Sequence, residues 1–216
     1  DEQYMDFIYN YIYGKFIQEI DAKDNGFSEC AENAKPAYAI GTDISSRIGR
    51  MNPHWRIENP NFDEEFKKAV EYIGKEFEFF FAYALKFSIR QYQVVKEAFD
   101  HRLEADPNGQ FFILSSSVPI MDYLPLLEGD EKKLLYTLYE RNDHTWAVKA
   151  ITTNHSFQQR KPLPFPGVNR EEMKQQTGID GLVFAHTAPF LAVFETKDEA
   201  IEYARFAANY TPPKEE

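Results

Sequence analysis

LLYTLYERNDHTWAVKAIT, Leu134 to Thr152, is the stretch on which the fold turns. Leu134 to Glu140 and Thr145 to Thr152 alternate apolar and polar residues with a period of two, the pattern of strands with one buried face. Arg141-Asn142-Asp143-His144 between them reads as the loop of a hairpin. Upstream, Gln110 to Ser115 has the same period. Downstream, Leu182 to Ala185 reads as a buried strand and Phe190 to Phe194 as another, separated from the hairpin by a stiff Pro-rich passage, Lys161 to Gly167, and a short helix, Arg170 to Thr177. Thr196 with Glu199 three residues on forms a capping box, opening a last helix whose Ala200, Ile201, Ala204 and Ala207 face inward. The tail from Thr211 is rich in Pro and Glu and is expected to fray.

Ahead of the Asp106-Pro107-Asn108-Gly109 turn the period is that of helices. Tyr4, Ile8, Tyr11, Ile12, Phe16 and Ile20 mark an amphipathic helix that ends over Asp21 to Gly26. Phe27 to Asn59 is irregular, with short helices and loops expected to pack on Tyr38, Ile40, Ile48 and Trp55. Asn61 and Glu64 make a capping box before a long helix whose face carries Phe62, Phe66, Ala69, Val70, Ile73, Phe77, Phe80 and Ala84. Ser88 to Leu103 continues with Tyr92, Val95, Phe99 and Leu103. The fold class is therefore α+β: a helical N-terminal half followed by a mixed β-sheet lobe with covering helices.

Composition narrows the function. The chain has 216 residues, 43% hydrophobic and 27% charged, enough for a packed core, which excludes disordered and fibrous classes. A net charge of -11 excludes a uniformly basic coat for nucleic acid, though not a local basic pocket. The single Cys30 makes neither an internal disulfide nor a zinc cluster, which points to a reducing, intracellular compartment without separating nucleus, mitochondrion and cytoplasm. The longest apolar run, Phe79 to Leu85, is far short of the roughly 20 residues that span a bilayer. The chain opens on Asp1 instead of Met and reads as a piece of something longer.

Four groups of residues can carry chemistry. Asp21 and Asp24 lie one helical turn apart and project from one face, which suits a hard divalent ion; the competing reading makes Asp24, Asn25 and Gly26 ordinary helix-ending residues. An EF-hand register through Asp21, Asn25, Gly26 and Glu32 fails at Lys23, where a ligating oxygen is required. Arg47 and Arg50 lie three apart and can present guanidinium forks to a phosphate, or can be solvated cations balancing acidic neighbours. Asn154 to Lys161 gathers His155, Ser156 and Arg160 after a strand, a common place for ligand-binding groups. His186, directly after the strand Leu182 to Ala185, is either a satisfied sheet-end histidine or a site group. His54, His101 and His144 read as surface or turn residues. No nucleophile elbow, Walker loop, HExxH or cysteine-based zinc spacing occurs.

In order along the chain, these stretches resemble the Myg exonuclease family, metal-dependent hydrolases related to the DHH phosphoesterase superfamily. EIDAKDNG, Glu19 to Gly26, resembles the acidic stretch that closes the family's catalytic domain. SSRIGRMNPHW, Ser45 to Trp55, resembles its Arg-rich block. HSFQQRKPLP, His155 to Pro164, is similar to its Ser-Phe-Gln-x-Arg-x-Pro-Leu-Pro, and GIDGLVFAHTAPF, Gly178 to Phe190, to its Gly-Ile-x-Gly-x-x-Phe-x-His. The resemblance covers nearly all of this chain but only about the back two-thirds of a typical member.

The resemblance implies a divalent-metal (Mn or Mg) phosphodiesterase, a 3'-to-5' RNA exonuclease acting on single-stranded RNA or nucleotides. This chain would be its substrate-binding part: residues 1–60 the edge of a DHH-type catalytic domain, 61–104 linking helices, and 105–216 a lobe like the DHH-associated domain. Asp21 and Asp24 would be metal ligands; Arg47, Arg50, His155, Ser156, Arg160 and His186 would contact substrate. No catalytic residue is assigned. The remaining metal ligands are expected on an N-terminal catalytic domain, so this chain alone is expected to be inactive. After the histidine the family runs Gly-Phe-Ile-Gly-Gly, where this chain has Pro189 to Val193, and Pro189 has no amide proton to offer a phosphate. The alternative is a non-catalytic binding module of hydrolase ancestry, favoured by the net charge and the lost glycines. Phe77, Phe79, Phe80 and Phe81 form a cluster too wide for one helix face, so some of them are expected to meet the other lobe or a second subunit, and a homodimer is expected.

Overall fold

The computed structural model describes residues 4–30, 34, 38–129, 131–153 and 157–212. It divides into two units, Asp1–Arg90 and Gln91–Glu216. In the first, α1 (Met5–Ile12) passes through a π-helical turn, Tyr13–Ile17, into α2 (Gln18–Asp24). Helical backbone thus runs one turn beyond Ile20 and stops where Gly26 takes a φ of 73°, a conformation open to glycine at little cost. Phe7, Ile12 and Phe16 are buried, with Phe16 packing on Phe77 and Phe80 at ring separations of 5.8 and 5.3 Å. A short helix, α3 (Ile44–Gly49), follows, then α4 (Phe62–Tyr83). The Asn61 side chain accepts from the Glu64 amide at 3.2 Å, while the Glu64 carboxylate pairs with Lys68 instead of reaching back.

The packing expected of this half is only partly observed. Along α4, Ala69 is buried and Phe62, Phe66, Val70 and Phe77 are exposed; Tyr38, Ile40 and Trp55 are exposed too. Helical periodicity places side chains on a common face but does not supply a partner for it. A second π-helical turn, Ala84–Ser88, leads into α5 (Ile89–Asp100), and the division between the units falls inside α5.

The second unit holds the sheet. After α5 and the single turn α6 (Arg102–Ala105) come β1 (Phe111–Leu114), a 3-10 turn, Ile120–Asp122, α7 (Leu124–Glu128), β2 (Tyr136–Glu140) and β3 (Trp146–Ala150). Then follow α8 (Arg170–Thr177), β4 (Leu182–Ala185), β5 (Leu191–Phe194) and α9 (Lys197–Asn209). The five strands are ordered β1-β2-β3-β5-β4. β1 and β2 are parallel and the other pairs antiparallel, so the sheet is mixed and the α+β class holds. One face, through Tyr136, Leu138, Val148 and Phe194, packs on Ala200, Tyr203, Ala204 and Ala207 of α9. Three alanines on that stripe let the helix approach the sheet closely, and removing this apolar area from water is worth about 25 cal/mol per Å².

The Pro-rich passage is tied to that helix from both sides. Tyr203 donates its hydroxyl to the Pro164 carbonyl at 2.6 Å, and Lys161 Nζ donates to the Ala208 carbonyl at 2.6 Å, satisfying a carbonyl of the last turn. α9 opens with both halves of the Thr196 and Glu199 capping box, and α8 has a second such box through Asn169 and Glu172 that the sequence reading missed. Tail residues 213–216 lie outside the described residues. Among the described residues, no helix is long and apolar enough to cross a membrane.

The box at α9 constrains Gly181. A Cβ there would sit 2.0–2.2 Å from the Glu199 carboxylate, so any side chain must push that cap aside. Gly181→Ala is expected to cost about 0.5–2 kcal/mol, the usual worth of an N-terminal cap. Denaturant melts of Gly181→Ala, Glu199→Ala and the double variant check this, since one shared mechanism makes the double variant less destabilised than the sum of the singles.

Candidate functional site

In the first unit, the acidic stretch and the Arg-rich block are brought side by side. Lys23, projecting from α2 between the two aspartates, reaches α3: its ammonium lies 2.7 Å from Asp43 Oδ2 and donates to Ser46 Oγ at 3.2 Å. Asp43 is the N-cap of α3, accepting from the Ser46 amide at 2.8 Å and hydroxyl at 2.6 Å. The Lys23 ammonium and these Ser46 donors hold its carboxyl well below the usual carboxylate range. Asp43 escaped the sequence reading, although an Asp three residues before a Ser at a helix start is a recognisable cap. Lys23, the residue that breaks the EF-hand register, is what clamps the two segments together.

The two candidate metal ligands differ in setting. Asp21 accepts from the Tyr13 hydroxyl at 3.1 Å and from Asn25 Nδ2 at 3.1 Å, and its charge raises the Tyr13 phenol pKa, mainly through that hydrogen bond. Asp24, on the last residue of α2, is exposed and has no side-chain hydrogen bond or ion pair among the described residues. No group of three or more His, Cys, Asp or Glu side chains among the described residues is arranged to hold a metal ion. Two exposed carboxylates, one already engaged by two donors, do not complete the six or more oxygens that Mg or Ca require. The described residues therefore do not fit a whole metal centre.

The arginines do not form a shared fork. Arg47 sends Nη1 to Glu76 at 2.5 Å and to the Tyr72 hydroxyl at 2.5 Å, and Nη2 to the other Glu76 oxygen at 3.1 Å. That bidentate pair raises its pKa further and joins α3 to α4. Arg50 donates to the Gly41 carbonyl at 2.7 Å and is exposed. Spacing in sequence let both present their guanidinium groups on one side but said nothing of Glu76, far along the chain.

In the second unit, Arg160 is enclosed. With its side chain 10% exposed and that of Glu128 3%, its Nη1 lies 2.9 and 2.8 Å from the two carboxylate oxygens and donates to the Leu134 carbonyl at 3.0 Å. Glu128 also accepts the Leu134 amide at 3.1 Å. The ion pair thus clips the entrance of β2 to the segment after β3, where the Arg160 amide donates to the Ile151 carbonyl at 2.8 Å. His155 and Ser156 lie outside the described residues.

His186 sits at the turn between β4 and β5. Its Nδ1 accepts from the Ala188 amide at 2.9 Å, so the proton of the neutral ring is on Nε2, and the ring packs on Phe190 at 4.5 Å. The Pro-rich strap runs along this turn: Leu163 donates to the Pro189 carbonyl at 2.8 Å and Gly167 to the His186 carbonyl at 3.0 Å. Hence Pro189 serves the structure with its carbonyl, where its missing amide is no loss.

Residues 1–208 match the model of the MYG1 exonuclease family, described as an uncharacterised protein family (UPF0160). The chain belongs to that family. It is 31% identical over 205 residues to human MYG1 exonuclease, covering 92% of this chain and 54% of that protein. It is 33% identical to the MYG1 protein of Dictyostelium discoideum, covering 95% and 65% of the two chains, and 29% identical to MYG1 protein YER156C of Saccharomyces cerevisiae, covering 94% and 64%. The chain thus spans about half to two-thirds of the length of these MYG1 relatives. No solved structure matches it.

The enclosure of Arg160 makes a specific claim. Arg160→Ala leaves Glu128 charged and buried without its partner and is expected to cost about 3–5 kcal/mol in urea unfolding. Arg160→Met combined with Glu128→Leu is expected to recover most of that loss. An Arg160→Ala protein as stable as the wild type that had lost RNA affinity would return this residue to the substrate-binding set.

Proposed function

We propose that this chain is the C-terminal, substrate-binding part of a divalent-metal-dependent phosphodiesterase, a 3'-to-5' exonuclease of single-stranded RNA related to the DHH phosphoesterases. The observation that carries the reading is the match across nearly the whole chain to relatives named exonucleases. The geometry of the first unit is consistent with it. Asp21 and Asp24 stand exposed on a helix locked to the Arg-rich block, and Asp24 has a free carboxylate for an ion whose other ligands come from an N-terminal catalytic domain. A bound Mn or Mg ion would supply an activated water and a clamp on the scissile phosphate.

Substrate contacts are assigned to Arg50, His155, Ser156 and His186. Arg50 is exposed with one carbonyl contact, and His186 keeps its Nε2 proton for a phosphate oxygen or base edge. Arg47 and Arg160 act at one remove as positioning residues, because their guanidinium groups are held by Glu76 and Glu128. The alternative, a binding module without hydrolytic function, draws on the charge of -11 and on Pro189.

Cleavage of single-stranded RNA with Mn²⁺ by the full-length protein tests the reading. Asp21→Asn with Asp24→Asn is expected to lower kcat by at least about tenfold through weakened metal affinity, an effect that raised Mn²⁺ partly restores. His186→Ala is expected to raise KM more than it lowers kcat. Unaltered rates in both variants would favour the binding module, and RNA hydrolysis by the 216-residue chain alone would show that the metal centre had been misplaced.

We also propose a homodimer, on the aromatic side chains left uncovered along α4. Phe62 and Phe66, four residues apart on one face, are 62% and 69% exposed, more than a solvated helix face ordinarily tolerates in one row. Light scattering after size exclusion is expected to give twice the chain mass, and Phe62→Glu with Phe66→Glu to give a monomer. A wild-type monomer at high concentration would remove the proposal.

A further inference from the structure

Between α3 and α4 the chain turns through His54, Trp55, Arg56 and Ile57. The Ile57 amide donates to the His54 carbonyl at 2.9 Å, closing a β-turn with Trp55 and Arg56 at its two central positions. Its entry is fixed as well. The Met51 amide donates to the Ile48 carbonyl at 2.9 Å and the Asn52 amide to the Gly49 carbonyl at 3.3 Å, and Pro53 then locks the backbone φ just before the turn. Trp55 stands 79% exposed, although tryptophan is on average highly buried. The aromatic and cationic groups against its ring are its own neighbours, with the His54 ring at 5.5 Å and the Arg56 guanidinium 4.7 Å from the ring centre.

The outward polar groups of these side chains are donors. His54 Nδ1 accepts from the Arg56 amide at 3.3 Å, so the neutral ring keeps its proton on Nε2. The Trp55 indole N–H has no hydrogen bond to a described residue. Arg56 is exposed and has neither a hydrogen bond nor an ion pair among the described residues, whereas Arg47, Arg141, Arg160 and Arg170 each hold a carboxylate. Glu58, two residues on, is exposed and makes no ion pair with it. In a chain of net charge -11, a guanidinium left without a carboxylate is open to an outside anion. A ring with a cation against it and donors around it suits a flat, acceptor-rich group that carries negative charge, which describes a nucleobase with its phosphate. A protein contact centred on tryptophan ordinarily rings it with neighbours that exclude water, and within this turn only Ile57 is apolar.

We propose that the His54 to Ile57 turn is a stacking grip for single-stranded RNA, with one base on Trp55, a neighbouring phosphate on Arg56 and His54 Nε2 as a further donor. The choice of RNA rests on the reading above of this chain as the substrate-binding part of an exonuclease, but the turn uses none of the residues assigned there. Only Met51 to Pro53 separate the turn from Arg50. The helix before it, α3, is the one that Lys23 and Arg47 brace to α2 and α4, so a base held at the turn is fixed relative to the segment carrying Asp21 and Asp24.

Fluorescence titration of the 216-residue chain with a short oligoadenylate, without metal so that nothing is cleaved, tests the assignment. Of the two tryptophans, Trp146→Phe leaves Trp55 as the sole indole, and stacking is expected to quench its emission. Trp55→Ala is expected to weaken binding by about fivefold to a hundredfold, the worth of one base stacked on an aromatic ring, and Trp55→Phe to keep most of the affinity. Arg56→Ala is expected to lower the slope of log affinity against log salt by about 0.7, one phosphate contact on a single strand. An abasic oligomer of the same length is expected to bind more weakly and to be indifferent to Trp55→Ala. Trp55 and Arg56 are exposed, so the urea midpoints of their variants are expected to match the wild type; Trp55→Gln replaces Trp55→Ala if the alanine variant unfolds earlier. RNA bound equally by wild type, Trp55→Ala and Arg56→Ala removes the turn and leaves the substrate-binding reading. RNA bound through Trp55 by a full-length protein that cleaves none, with Mn²⁺ supplied, keeps the turn and removes the nuclease reading. No RNA binding by the wild type removes both. A blue shift of Trp55 emission with rising protein concentration, without quenching by RNA, would overturn the proposal in favour of a protein contact.

Discussion

The register of β2 against β3 is the constraint on which the second unit depends. With Leu138 opposite Val148 and Tyr136 opposite Ala150, one face of the pair is mainly apolar up to Glu140 at its end and meets the alanine stripe of α9. A slip by one residue would turn Thr137, Tyr139 and Lys149 toward that helix and expose the aromatic and aliphatic set to water. Burying a lysine against alanines without a partner is far costlier than any turn preference, so the core chooses the register and the polar row follows on the other face.

Charge is handled differently in the two units. In the first, Lys23 and Arg47 act as cross-braces between helices that bury little apolar surface, tying α2 to α3 and α3 to α4. These are partly exposed contacts, each worth modest energy, but together they fix the orientation of the segments carrying Asp21, Asp24 and Arg50. In the second, one ion pair, Arg160 with Glu128, is enclosed and shares its hydrogen-bonding capacity with the Leu134 backbone. Arg160 makes these contacts through one guanidinium nitrogen, Nη1, which reaches the carboxylate and the Leu134 carbonyl together.

The motif that resembled a substrate loop therefore divides into parts with different work. Arg160 and the Pro-rich strap after it are architectural: the strap bridges the α9 carbonyl end, the Tyr203 hydroxyl and the His186 turn. His186 alone keeps a ring nitrogen turned away from its backbone contact. A short string of polar residues looks the same in sequence whether its members face a ligand or a buried carboxylate, and Glu128 lies 32 residues from the arginine it holds.

Sequence by itself determined the elements and the class. The change of period after Gly109, the hairpin loop at Arg141 to His144, the capping box at Thr196 and the inward alanines of α9 are local facts, set by spacing and backbone chemistry within a few residues. Family membership was likewise legible in the order of four short motifs. Only the tertiary structure decided what each polar side chain meets: that Arg47 and Arg160 are held by Glu76 and Glu128, that Asp43 anchors Lys23, that β1 runs parallel to β2, and that most of the α4 aromatic face is left uncovered. These are contacts between residues distant in sequence, whose energies depend on separation and burial in space, and no local pattern records either.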